Sequence, residues 1–167
     1  MPDVLTHVLV GYVVGTFLAT RSEDLGHEAV TVTMAGSLAP DFVKITLLVP
    51  DASVESALGV PFSWAPLHAI SGAVVVALLA GLVVGPEYRR ETTALVAVGA
   101  ATHLFLDSLL YKPSGYGAEL FVPFSVYRFP AGMLYVSSDR WPAAVAGAAS
   151  ACAWGWHRYA DRRSADS

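Results

Sequence analysis

An all-α fold, a polytopic transmembrane bundle of about five helices with a long, partly apolar loop between the fourth and fifth spans, is what the sequence predicts. Three observations predict it. Of 167 residues, 54% are hydrophobic and 14% charged, with a mean hydropathy of +0.52, too apolar and charge-poor for an ordinary soluble domain of this size. Five apolar stretches approach the roughly 20 residues a helix needs to cross a hydrocarbon layer about 30 Å thick. Glycine and other small residues recur in all five, which suits close helix packing in lipid. The expected organisation is a single membrane domain over residues 1–160 and a short polar cytoplasmic tail over 161–167.

The first stretch, Val4 to Thr20, follows an N-terminus without a basic region and lacks a convincing small-residue cleavage site, so it is expected to be a retained helix. The second, Ala29 to Val49, is interrupted by Pro40, which is expected to free the carbonyl of Gly36 and open the helix. The third runs from Pro66 to Gly85, the fourth from Thr92 to Tyr111 and the fifth from Trp141 to Tyr159. Trp154, Trp156 and Tyr159 read as an interfacial aromatic belt. Between spans two and three, Asp51 to Ala65 reads as a loop forming one rim of an outer site. The longest connection, Lys112 to Arg140, is too apolar for a disordered segment and reads as a cover over that site, with Arg128 available to a phosphate or carboxylate.

Basic residues set the orientation. Arg21, Arg89, Arg90, Arg158, Arg162 and Arg163 fall on one set of connections, and Lys112, Arg128 and Arg140 on the other, which predicts an outside N-terminus and a cytoplasmic C-terminus. The net charge of −4, without a basic run, argues against nucleic acid. The lone Cys152 excludes an intrachain disulfide and a Cys-based zinc site.

Ionisable residues inside these stretches carry the functional expectation, because they are costly in lipid unless paired, bound to an ion or set beside water. His103 and Asp107, four residues apart, share one face of a helix. With the predicted orientation, His7, His68 and Asp107 fall within about 6 Å of the outer helix ends and Asp41 and His103 about 12 Å deep. Three imidazoles and two carboxylates from four helices suit a divalent metal, Zn or Mn foremost. His7, Asp41, His68, His103 and Asp107 are therefore the candidate metal ligands, with Asp41 and Asp107 as the candidate catalytic carboxylates, whether as ligand or general base. The competing arrangements are an Asp41–Lys44 pair at i+3, a structural His103–Asp107 pair and hydrated histidines at His7 and His68. His27 and His157 read as interfacial or solvated, and Ser71 and Ser108 lack a base to activate them.

On these residues the chain resembles the YdjM-like family of small inner-membrane proteins, described as membrane-bound metal-dependent hydrolases. The resemblance lies in Thr6-His7, in Gly36-Ser37-Leu38-Ala39-Pro40-Asp41 with Ala39 in place of the usual leucine, in His68, and in His103-Leu104-Phe105-Leu106-Asp107. Two family features are missing. Pro66 to Gly72 holds one histidine where the family commonly has two, and Val43 and Lys44 stand where a second aspartate often follows. The resemblance implies hydrolysis of an ester, phosphoester or amide presented at the membrane, with membrane lipid as partner and a lipid-like or phosphoester compound as substrate. The same residues in a metal or proton transporter, or in a purely structural bundle, are the alternatives.

Overall fold

The computed structural model describes residues 4–22 and 25–165, with side chains through Tyr159. The described chain is all-helical. It comprises α1 (Val4–Arg21), α2 (Glu28–Leu38), a 3₁₀ segment (Ala39–Leu47), α3 (Asp51–Leu58), a second 3₁₀ segment (Ala65–His68), α4 (Ile70–Val83), α5 (Arg89–Ser108) and α6 (Trp141–Ala165). No strand forms among the described residues; two isolated bridges, Leu110 with Tyr135 and Tyr116 with Pro130, lie in the last long connection. Met1 to Asp3, Glu23 and Asp24 lie outside the described residues, as do the side chains of the tail expected over 161–167.

Helix α2 lies at the centre, flanked by α1 and α5; α4 packs on α5 and α6 on α1. Glycines set these approaches. A Cβ on Gly15 would lie 2.8 Å from the Cα of Val30, one on Gly36 2.5 Å from the Val96 carbonyl oxygen, and one on Gly99 2.2 Å from that of Thr33. Backbones this close admit no side chain, so glycine is required at these crossings. His7, Gly11 and Gly15 stand at successive i+4 positions on α1, and Gly99, His103 and Asp107 do so on α5. The stripes that bring both helices against α2 thus carry the ionisable residues inward with them.

The radial distribution is the reverse of a soluble protein's. The buried apolar residues are mostly small, including Ala29, Ala39, Ala73, Ala77 and Ala100, while Val74, Val75, Leu78, Leu79, Leu82 and Val83 all project outward from α4. An apolar outer surface this continuous suits lipid rather than water. Of the described helices, α1 alone is long and apolar enough to cross a membrane by itself, or two spans qualify if the bent pair Glu28–Leu47 and Asp51–Leu58 is counted as one. Helix α4, with 14 residues, is shorter than the expected third span and reaches only about 21 Å.

Two expectations about the second stretch are corrected. The segment Asp51 to Ala65 is not simply a loop, because it contains α3, which turns 73° from the preceding helical run. Asp51 anchors the turn, accepting from the hydroxyls of Thr46 at 3.3 Å and Ser63 at 3.1 Å, while the Trp64 indole donates to the Val49 carbonyl at 2.9 Å. The Gly36 carbonyl is also not free, since the Ala39 N–H bonds to it. Pro40 has no N–H to offer an α-helical turn, so the chain tightens to i+3 bonding and continues as a 3₁₀ segment through Leu47. In that register the carbonyl of Ser37 would be addressed by residue 40, a proline. It is therefore Ser37, not Gly36, whose carbonyl is left for another donor.

The connection from Lys112 to Arg140 folds back onto the bundle end. Gly132 N–H donates to Ser108 at 2.8 Å, Leu134 N–H to Leu109 at 2.9 Å and the Tyr135 hydroxyl to Leu106 at 2.7 Å, satisfying carbonyls at the end of α5. Ile70 N–H donates to the Leu120 carbonyl at 2.9 Å, tying the same connection to the start of α4.

Candidate metal centre

His7, Asp41, His68, His103 and Asp107 surround one point at the end of the bundle covered by this connection. His7 comes from the first turn of α1, Asp41 from the 3₁₀ segment after Pro40, His68 from the residues before α4, and His103 with Asp107 from the last turns of α5. His7 and His103 are fully buried, with their rings stacked at 3.7 Å and 10° apart. The Asp107 carboxylate lies 2.8 Å from His68 Nε2, 3.5 Å from His7 Nε2 and 3.8 Å from His103 Nε2. Asp41 lies 3.8 Å from His103 Nε2 on one oxygen and takes the Lys44 ammonium at 2.7 Å on the other.

The backbone presets two of the rings. His103 Nδ1 lies 2.7 Å from the Ser37 carbonyl, the one that the 3₁₀ register leaves without a donor, and His68 Nδ1 lies 3.2 Å from the Pro40 carbonyl. A proton held on His103 Nδ1 by Ser37 leaves Nε2 as a lone pair aimed at the site, the arrangement in which histidine binds metals. His68 differs. Both its nitrogens face acceptors, so a neutral ring satisfies only one, and its closer contact is with Asp107.

Whether the donors suit a cation can be judged from atoms left without hydrogen-bond partners. His7 Nδ1 and Nε2, Asp41 Oδ1, His103 Nε2 and Asp107 Oδ1 are all buried and without a hydrogen bond, the nearest approaches among them being 3.5 Å or more. Each such atom ordinarily costs about 1–3 kcal/mol, a cost that a shared cation would remove. Ligand atoms of His7, His103 and Asp107 lie within 4.8 Å of one another. Two ligands each about 2.1 Å from an ion stand at most about 4.2 Å apart, and Asp107 already lies within that range of both rings, at 3.5 Å from His7 Nε2 and 3.8 Å from His103 Nε2. The residues fit a mixed nitrogen and oxygen site for a borderline divalent ion.

Two clefts meet at His68 and Asp107. One, of about 430 Å³, is an apolar groove between α4 and α5 lined by Ile70, Val74, Ala97, Ala101 and Phe105 and roofed in part by Leu120. The other, of about 560 Å³, is the more polar of the two and is bordered by the charged groups Lys112, Glu119 and Arg128.

A family model for the YdjM inner membrane protein matches residues 1–164. This chain belongs to the YdjM family. Neither the curated proteins nor the solved structures give a match. Membership places this YdjM protein in a family of inner membrane proteins, in keeping with its apolar exterior.

Some residues of this YdjM chain stand differently from expectation. Arg128 is not free for a ligand, because Glu119 accepts from its guanidinium, with Nε at 2.9 Å. Lys44 pairs with Asp41 even as Asp41 faces His103, so the two arrangements weighed for Asp41 coexist. His27 and His157, read as interfacial or solvated, lie with ring centroids 5.0 Å apart at the opposite end of the bundle, a proximity the sequence did not indicate. Sequence reasoning missed the Ser37 carbonyl, although the spacing of Ser37 from Pro40 was a usable signal. It also missed the i+4 run of His7, Gly11 and Gly15, which marks the face α1 turns inward.

Proposed function

We propose that this YdjM protein is a multi-pass membrane hydrolase that uses a divalent metal, Zn or Mn, held by His7, His103 and Asp107. The observation that carries the reading is the group of buried imidazole and carboxylate atoms without hydrogen bonds at one end of the bundle, where two clefts reach Asp107 and His68. A bound divalent ion supplies Lewis acidity toward a scissile carbonyl or phosphoryl oxygen and makes water nucleophilic near neutral pH.

The chain's own groups supply the rest. Ser37 holds the His103 ring by its Nδ1 atom, and His68 donates from Nε2 to Asp107. Asp41, with one oxygen on Lys44 and the other unpaired, is the general base. It takes one proton from water as the water oxygen bonds to phosphorus or carbonyl carbon. The ester or amide bond then breaks, and the departing oxygen or nitrogen receives that proton.

The five-span arrangement is part of the same proposal. Helix α5, with 20 residues, is about 30 Å long, enough to cross despite Arg89, Arg90 and Glu91 at its start. Arg21, Arg89, Arg90 and Arg158 lie toward the helix ends away from the site, which supports an outer site and an inner C-terminus.

Metal analysis of detergent-purified protein tests the reading. Stoichiometric Zn or Mn in the wild type, lost in His103→Ala and in Asp107→Ala, is expected, together with metal-dependent cleavage in a screen of phosphoesters, esters and amides. Wild-type protein that takes up neither ion overturns it.

A further inference from the structure

The geometry points to a glycerophospholipid as the substrate, with an acyl chain in the groove between α4 and α5 and the phosphate in the polar cleft beside His68 and Lys112. This rests on the hydrolase reading for cleavage, but binding of the lipid stands separately.

The groove is built for a chain. Ala97 and Ala101 on α5 leave room that larger residues would fill, while Ile70, Val74 and Phe105 wall it and remain exposed on the outer surface of the bundle. It is therefore open sideways, where lipid would lie, and its volume of about 430 Å³ is within the range of about 300–1,000 Å³ typical of small-molecule sites. A soluble substrate has no use for such an opening. The groove ends at His68 and Asp107, so a chain lying in it delivers whatever is attached at its polar end to the candidate centre.

The polar cleft begins where the groove stops, at the same two residues. Its basic groups are Lys112 and Arg128, and Glu119 occupies Arg128. The half-buried Lys112 has no ion-pair partner among the described residues, which leaves one cationic charge for an anionic group. An apolar slot, the candidate centre and a free ammonium in that order match acyl chain, scissile ester and phosphate in a phospholipid. Free fatty acid matches the slot but offers no bond to hydrolyse. A soluble phosphoester matches the cleft alone.

Native mass spectrometry of the full-length protein in detergent, with metal removed by chelation, reads lipid binding independently of catalysis. The probes are a diacyl phosphatidylglycerol and, as competitors, glycerol phosphate and palmitate. One retained phosphatidylglycerol per protein is expected, with occupancy reduced at least tenfold in Ala101→Trp and about fivefold in Lys112→Glu. Leu79→Trp, which places a bulky side chain on the outer face of α4 outside the groove, is expected to keep wild-type occupancy.

Thermal unfolding of each variant shows whether it is folded, and Ala97→Leu provides a second block if Ala101→Trp is not. Equal lipid retention by folded Ala101→Trp or Ala97→Leu and by Leu79→Trp overturns the inference, as does displacement by glycerol phosphate or palmitate as effective as by phosphatidylglycerol. In the metal-loaded protein, a long-chain over short-chain cleavage ratio that falls at least tenfold in the groove variants extends the result to turnover. Lipid bound in the groove without cleavage of any probe would overturn the hydrolase reading and leave the lipid site standing.

Discussion

Both ends of the bundle gather histidines beside a cleft, three at one end and two at the other, yet only one end has the makings of a metal centre. At the first, His7 and His103 are fully buried, flanked by two carboxylates, with His103 fixed by a backbone carbonyl. At the second, His27 and His157 approach within 5.0 Å beside a cleft of about 540 Å³ lined also by Tyr12, Trp154 and Arg158, but His27 is exposed. No group of His, Cys, Asp and Glu at that end brings its ligand atoms together as His7, His103 and Asp107 do, among the described residues. Proximity of histidines is thus a weak signal. What distinguishes the first end is desolvation of donors that have no other partner, together with carbonyls that preset their lone pairs.

The sharpest way to break this contrast is to remove a donor at each end. Asp107→Ala is expected to reduce Zn or Mn affinity by at least 100-fold, whereas His27→Ala and His157→Ala leave metal content unchanged, as measured by elemental analysis after dialysis. Equal loss from both ends would erase the distinction.

Next in size is the packing that creates burial. Gly99→Leu drives a side chain into the α2 backbone and is expected to destabilise by about 3 kcal/mol or more. At the other end a Cβ on Gly155, inside α6, would meet only open space, so Gly155→Ala should raise stability by up to about 1 kcal/mol. Thermal unfolding in one detergent compares them.

Pro40→Ala sharpens the comparison further, because it restores an N–H where the 3₁₀ register leaves the Ser37 carbonyl open. That donor competes with His103 Nδ1, and metal affinity is expected to fall about 10-fold while the fold persists. Isothermal titration with Zn and circular dichroism read the two effects.

The smallest effect concerns the cover. Tyr135→Phe removes the hydroxyl bond to Leu106 and should cost about 1 kcal/mol, seen as faster protease nicking between 112 and 140. Burial, and then the charge of Asp107, push the Tyr135 phenol up to about 12. A raised folded pKa means that this contribution is complete below the ordinary tyrosine value of about 10 and is lost as pH rises through about 12.

Much of the candidate site was legible because its chemistry is anomalous in its setting. A histidine and an aspartate at i and i+4 within one apolar run, and an aspartate after a proline within another, stand out whatever the fold. Their roles as ligands or bases are not legible in the same way, since those depend on which atoms are left unpaired. The cover was legible from the apolar content of 112–140, but the Arg128–Glu119 pair was not, because residues nine apart in an irregular segment have no fixed geometry. Helix α3 escaped notice for a related reason. Asp51 to Leu58 has neither the length nor the apolarity of a span, and its turn is anchored by Ser63 and Trp64, further along the chain.

By itself the sequence determined the helical character, the membrane setting and which ionisable side chains stand within apolar runs, because composition and period act locally along the chain. Tertiary structure alone decided that the Ser37 carbonyl meets His103, that His68 braces Asp107, and that an apolar groove and a polar cleft meet at the same two residues. Those outcomes depend on how closely Gly36, Gly99 and Gly15 let backbones approach, and a difference of an ångström in that approach is written in no single stretch of residues.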